Sequence, residues 1–223
     1  MPRSRRASTD GQRSAGAETR AGLPAQGRAL RARGRRTLER LLDAGARVFA
    51  ERGYHAARVD DIVKAARTSH GTFYLYFASK EDLFRALALD VADGMLELAR
   101  DLPPLTPDGT GLSSLRDWVD RFARLYERSG PVIRTWTEAE IVDTEFGRIG
   151  GDLARQFTEE LTHRVRDARA AIDADVAALA LVAMIERANY YVTAKQIQVG
   201  RAEMVDTLAV VMHASLYGAP VHA

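Results

Sequence analysis

Between residues 37 and 217 apolar side chains return at intervals of three and four, and no segment shows a convincing alternation at every second residue. A chain patterned in this way buries its apolar stripes helix against helix, so the expected fold class is all-α. The interruptions in the pattern then set the organisation. Leu38, Leu41, Leu42, Gly45, Val48 and Phe49 share one face of a helix over about residues 37–52, with Gly53 as its stop. A shorter helix over about residues 58–65 offers Val59, Ile62, Val63 and Ala66 as its inward stripe. A third starts at Ser69, whose hydroxyl can accept the backbone N–H near Thr72, and is spent by about Phe77. The fourth opens at Ser79 with Asp82 three residues on, in the manner of a capping box, and continues through Leu83, Phe84, Leu87, Val91, Met95 and Leu98.

Pro103, Pro104, Pro107 and Gly109 then break the periodicity and mark a loop. Beyond it Leu115, Trp118, Val119, Phe122, Leu125 and Tyr126 form one stripe, and Pro131 is expected to open a short separate helix with Ile133 and Trp136. Phe146, Ile149, Leu153, Phe157, Leu161 and Val165 form the next stripe. Residues 176–185 are apolar at all ten positions, too few to span a bilayer and without a polar face, so this segment is expected to be buried on more than one side. Met204, Val205, Leu208, Val211 and Met212 mark a last helix over about residues 201–217.

A hydrophobic content of 46% is enough for a real core, and the absence of a long uncharged apolar run or a signal peptide points to a cytoplasmic protein without a membrane partner. There is no cysteine, which removes disulfides, thiolate chemistry and cysteine-ligated zinc. Charge is unevenly placed. Residues 1–36 hold ten arginines against Asp10 and Glu18, a balance of 10 − 2 = +8. Residues 37–90 balance at 8 − 8 = 0, and residues 91–223 carry 14 basic against 20 acidic side chains, giving −6. A polyanion should therefore meet the N-terminal side.

The stretch from Val59 to Phe77 has the spacing of a helix-turn-helix: a striped helix, a short turn, and a short capped helix with polar side chains in its first turn. On spacing alone it also fits the corner of an ordinary three-helix bundle. The residues carry more. The run from Asp61 to Phe84, centred on Gly71-Thr72-Phe73-Tyr74-Leu75-Tyr76-Phe77-Ala78-Ser79-Lys80-Glu81-Asp82-Leu83, resembles the DNA-binding signature of the tetracycline-repressor (TetR) family, over about residues 37–87. The resemblance implies an all-helical homodimer that binds a palindromic operator in double-stranded DNA and lets go when its variable domain takes up a small molecule. It also implies three parts: an Arg-rich arm over 1–33, a helix-turn-helix domain of three helices over 34–87, and a larger helical ligand-binding and dimerisation domain over 88–223.

Carried over by position, the resemblance puts Ser69, His70, Gly71 and Thr72 at base edges, Tyr74 between base methyl and phosphate, and Tyr76 and Lys80 on phosphates. Elementary chemistry agrees: Gly71 lets a backbone come close, Thr72 offers both hydroxyl and methyl, and Lys80 sits where free helix N–H groups also favour phosphate. Arg58, opening the second helix, is a further phosphate candidate. One departure stands out. Arg67 occupies the turn position where the family usually has glycine, and Thr68 follows where it has an apolar residue. A positive φ there would cost arginine on the order of 1 kcal/mol, to be offset by a phosphate or by Asp60 or Asp61. The arm itself is read as a DNA-tracking tail, a targeting remnant or an inert extension.

For the effector, Trp118, Phe122, Tyr126, Trp136, Phe157, Met184 and Tyr190, with polar Thr137, Glu140 and Asn189, have the makings of an apolar ligand pocket, although any helical core needs similar residues. No metal and no cofactor are expected, because the histidines lie far apart and no glycine-rich phosphate loop follows a strand. Two other functions stay open: an architectural DNA-binding protein without a ligand, which would not need so aromatic a C-terminal half, and an enzyme using acid/base chemistry in an aromatic cavity.

Overall fold

The computed structural model describes residues 32–218 apart from 142, 169 and 171, so the Arg-rich arm expected over 1–33 lies, except for its last two residues, outside the described residues. The described residues form eight helices and no strand: α1 (Ala32–Ala56), α2 (Val59–Ala65), α3 (His70–Tyr76), α4 (Lys80–Arg100), α5 (Gly109–Glu140), α6 (Thr144–Asp167), α7 (Ala174–Thr193) and α8 (Arg201–Tyr217).

Local chemistry sets the first four. Gly53 interrupts α1 with φ 75° and ψ 170°, a conformation that L side chains avoid. The next amide, Tyr54 N–H, leaves the helical ladder and donates instead to Glu138 Oε2 of α5 at 3.0 Å. At the end of α2 the chain closes a Schellman turn, with Thr68 N–H donating to Val63 O at 2.9 Å and Arg67 N–H to Lys64 O at 3.2 Å. That turn demands a left-handed residue, and Arg67 takes it at φ 50°. The acidic compensation expected for Arg67 does not form: Asp61 pairs with Arg52 at 3.2 Å and Asp60 with His70 at 3.0 Å. Ser69 caps α3 by accepting from Thr72 N–H at 3.1 Å, and Ser79 caps α4 by accepting from Asp82 N–H at 3.2 Å, while the Asp82 carboxylate accepts from Ala78 N–H.

Leu41, Ile62, Phe73, Phe77, Leu83 and Phe84 are buried without exposure in the core of the first four helices. α4 then runs unbroken past residue 87, where a domain boundary was expected, and packs on α1, α5 and α6. The long α5 is the axis of the rest, meeting α1, α4, α6, α7 and α8.

One expectation fails here, and one face is left open within the single chain. Pro131 does not begin a new helix but lies inside α5, 32 residues long. Losing one backbone bond at proline is outweighed by the burial of Val132, Thr135, Trp136 and Ala139 on the same axis, which holds the helix on course. The all-apolar stretch in α7 is covered on one flank only: Ala178, Leu181 and Ile185 are buried, but Val176 and Leu179 are 66% and 61% exposed.

Candidate functional site

The first candidate surface is the outer face of α3. With Phe73 and Phe77 locked into the core, a helix has no choice but to turn the intervening positions outward. Tyr74 is 55% and Leu75 66% exposed, and Ser69, His70 and Gly71 lie open beside them. A Cβ at Gly71 would meet nothing nearer than Ser69 Oγ at 3.8 Å, so the protein's own packing does not require glycine there. Thr72 is half-buried, its hydroxyl 3.0 Å from that of Ser69. His70 Nε2 lies against Asp60 of α2, which orients the imidazole, and the His70 ring neighbours that of Tyr74 at 6.5 Å. Arg58 and Arg67 are both exposed at the ends of α2.

Two residues expected on phosphates face elsewhere. Tyr76 is buried, because it shares the inward face with Phe73. Lys80 donates to three backbone carbonyls, those of Tyr54 at 2.8 Å, His55 at 3.1 Å and Ala57 at 3.0 Å, and its ammonium lies 5.3 Å from the Tyr54 ring. An ammonium has only three protons to give. Lys80 therefore ties the frayed end of α1 to the start of α4. Tyr54 sits in this joint against Phe84 and Phe146, its phenol pushed up to about 12 by burial and then by Glu81 and Asp143.

The second candidate is a cavity of about 380 Å³ between α4, α5, α6 and α7, open to solvent on one side. Of the residues expected there, Phe122, Tyr126, Trp136, Phe157 and Tyr190 supply rings, and Thr137 and Glu140 supply polar groups. Three others do not reach it. Trp118 is fully buried with its indole N–H donating to Leu98 O at 2.8 Å, Asn189 spends its amide on Ile185 O at 2.8 Å, and Met184 lies outside the lining. The structure adds Glu186 and Arg187. Glu186 accepts from the Tyr126 hydroxyl at 3.0 Å and lies 3.5 Å from Arg187 Nε. Burial and then the Glu186 charge push the Tyr126 phenol well above its ordinary range, keeping it a donor. The Glu140 carboxyl rests against Gly150, where any Cβ would collide with it, and loss of water raises its pKa.

Residues 41–87 match the sequence model for bacterial regulatory proteins of the tetR family. Over these residues the chain carries a DNA-binding module of the TetR-family type. The relatives say the same locally. The HTH-type transcriptional regulator YdgC of Bacillus subtilis is 40% identical over 73 residues, 33% of this chain and 37% of that one. The fatty acid metabolism regulator protein of the same organism is 47% identical over 47 residues, 21% of this chain and 24% of its own length. The matched stretch thus spans about a third or less of these curated relatives. As a fold, the whole described chain resembles the TetR-family regulator PfmR of Thermus thermophilus, with TM-score 0.64, 22% identity, and coverage of 82% of this chain and 100% of that one. It also resembles FadR of Bacillus subtilis, determined in complex with stearoyl-CoA, with TM-score 0.61, 20% identity, and coverage of 82% and 99%.

Sequence reasoning missed Leu75, the place of Asp60 beside His70, Glu186 and Arg187. Leu75 was within reach: it lies four residues after Gly71, on the face opposite Phe73. The other three needed the tertiary structure. No helix among the described residues is long and apolar enough to cross a membrane.

Proposed function

We propose that this transcriptional regulator is a homodimeric repressor that reads a palindromic operator with a pair of α3 helices and is released by a small apolar or aromatic-bearing molecule. The observation that carries the reading is the outer face of α3, where Ser69, His70, Gly71, Tyr74 and Leu75 stand exposed on a helix anchored from below by Phe73 and Phe77. Ser69, His70, Thr72 and Tyr74 read base edges, Gly71 admits the DNA backbone, and Arg58 and Arg67 take phosphates. Lys80 holds the reading head in place instead.

A helix of seven residues covers too little DNA to choose a site alone, which favours a second copy. Val176 and Leu179 on α7, and Val210 and Val211 on α8, are exposed apolar side chains suited to pairing with a symmetry mate as a four-helix contact. The cavity and the DNA-binding module share α4, since Leu83 packs on Gly45 and Phe84 on Phe49 of α1 while Val91 and Met95 line the cavity. α5 supplies a second link, because Trp136, Thr137 and Glu140 face the cavity and Glu138 holds Tyr54 N–H. An occupant that shifts either helix changes the separation of the two α3 helices, with a coupling of about 1–3 kcal/mol as the usual size. The stearoyl-CoA complex of the similarly folded FadR supports a small-molecule role for the helical half.

The test is selection of duplexes from a random pool by the full chain. A palindrome should be enriched, with half-site centres about 10–10.5 base pairs apart or a multiple of that. Tyr74→Ala should weaken the selected duplex more than random DNA, and sedimentation should show twice the monomer mass. A pool with no enriched sequence, or a strictly monomeric protein, sinks the reading. The ten arginines of residues 1–36 are assigned to non-specific phosphate contact, so removing residues 1–31 should flatten the salt dependence by about 0.9 per lost contact without changing the selected sequence.

A further inference from the structure

We infer that the cavity between α4, α5, α6 and α7 is built for an organic cation, a quaternary or protonated amine on an apolar or aromatic body. This rests on the reading of that cavity as the effector site and names the class of molecule it takes.

The charges decide the class. The lining holds Glu140 and Glu186 against Arg187. Arg187 is already committed: its Nε lies 3.5 Å from Glu186 Oε2, and its guanidinium stands 5.1 Å from the Tyr190 ring and 5.9 Å from that of Tyr191. The other oxygen of Glu186 takes the Tyr126 hydroxyl. The Tyr126 hydroxyl and Glu186 are thus paired, and the charge of Arg187 is balanced by the neighbouring Glu186 carboxylate while its guanidinium lies by two tyrosine rings.

Glu140 is different. No cation among the described residues pairs with it, and its carboxyl is seated over the bare backbone of Gly150 beside the Trp136 indole. Glu140 is exposed although it lines the cavity, and partial loss of water there raises its pKa. A carboxylate in that position favours a ligand that supplies the missing counter-charge. Around it, Phe122, Tyr126, Trp136, Phe157 and Tyr190 present π faces, which attract a cation as well as an apolar body. An anionic ligand would meet Glu140 directly and would have to draw Arg187 away from Glu186 and two tyrosines. A neutral ligand would bury Glu140 further without a partner.

Three probes with one phenylalkyl body separate these cases by titration calorimetry on the full chain: 4-phenylbutyltrimethylammonium, 4-phenylbutan-1-ol and 5-phenylpentanoate. The cation should bind about tenfold more tightly than the alcohol, and the carboxylate more weakly than either. Glu140→Gln should bring the cation down to the level of the alcohol. Gly150→Ala, which displaces the carboxyl without removing its charge, should reduce the same preference. Circular dichroism melting keeps an unfolded variant from being read as a lost site. Tighter binding of the carboxylate, an unchanged cation-to-alcohol ratio in Glu140→Gln, or no binding of any probe overturns the cation assignment. Operator binding measured with each probe separates the two readings. Release by the alcohol or carboxylate alone sinks the ligand class and keeps the effector site. Tight, Glu140-dependent cation binding without any effect on operator affinity keeps the class and sinks the effector role.

Discussion

Phe84 and Phe122 are both buried aromatic residues of long helices, yet their surroundings differ. Phe84 is ringed by Phe49 at 4.9 Å, Phe146 at 5.2 Å and Tyr54 at 5.3 Å, so the joint beneath the reading head is filled on every side that matters. Phe122 touches Trp118 at 6.1 Å, Tyr126 at 5.9 Å and Phe157 at 5.8 Å, and its remaining face looks into the cavity. The first arrangement locks α1, α4 and α6 together as the base of the DNA-binding module. The second leaves side chains with unfilled space, which a ligand can occupy and which lets α4 and α5 shift by small amounts.

The largest test of that contrast is a pair of truncations. Phe84→Ala should cost about 3–5 kcal/mol in urea denaturation, whereas Phe122→Ala, which already borders empty space and gives up fewer contacts, should cost clearly less, about 2 kcal/mol. Equal losses would mean that the cavity wall is as tightly packed as the joint, and the contrast would fall.

A smaller effect isolates the joint itself. Lys80→Met keeps an aliphatic stem but leaves the carbonyls of Tyr54, His55 and Ala57 without their donor. The expected loss is about 2 kcal/mol of stability, with the slope of log operator affinity against log salt unchanged. A slope flatter by about 0.9 per lost contact would restore Lys80 to the phosphates.

The smallest effect lies in the turn. Arg67 holds φ 50° with no acidic partner among the described residues, so Arg67→Gly should stabilise the fold by about 1 kcal/mol, read as a higher melting temperature. The same change should lower affinity for all DNA alike, since one exposed positive charge per protomer is lost.

What was legible in the sequence follows the reach of each interaction. Ser69 and Ser79 cap α3 and α4 through amides three residues away, and Gly53 breaks α1 through its own φ, so these features depend on neighbours in the chain. The inward march of Phe73 and Phe77 is equally local, and with it the face that α3 turns outward. Asp60, one of the partners open to Arg67, lies beside His70 instead, because two helices must cross before that pairing is defined.

The two tryptophans show where local reasoning ended. Both lie on apolar stripes of α5, but Trp118 reaches Leu98 O and is sealed in the core, while Trp136 lines the cavity. Nothing in their periodicity separates them, since the difference depends on where α4 and α6 diverge around α5. Lys80 and Pro131 follow the same rule: one finds acceptors 23 to 26 residues away, and the other is carried through a helix by burial against neighbouring helices. The sequence by itself determined helices, caps, the turn and the reading face, because those energies are settled within one or two helical turns. Which side chains surround empty space, and which charges lie there unpaired, was settled by tertiary packing, because a cavity is a property of how four helices cross and not of any one of them.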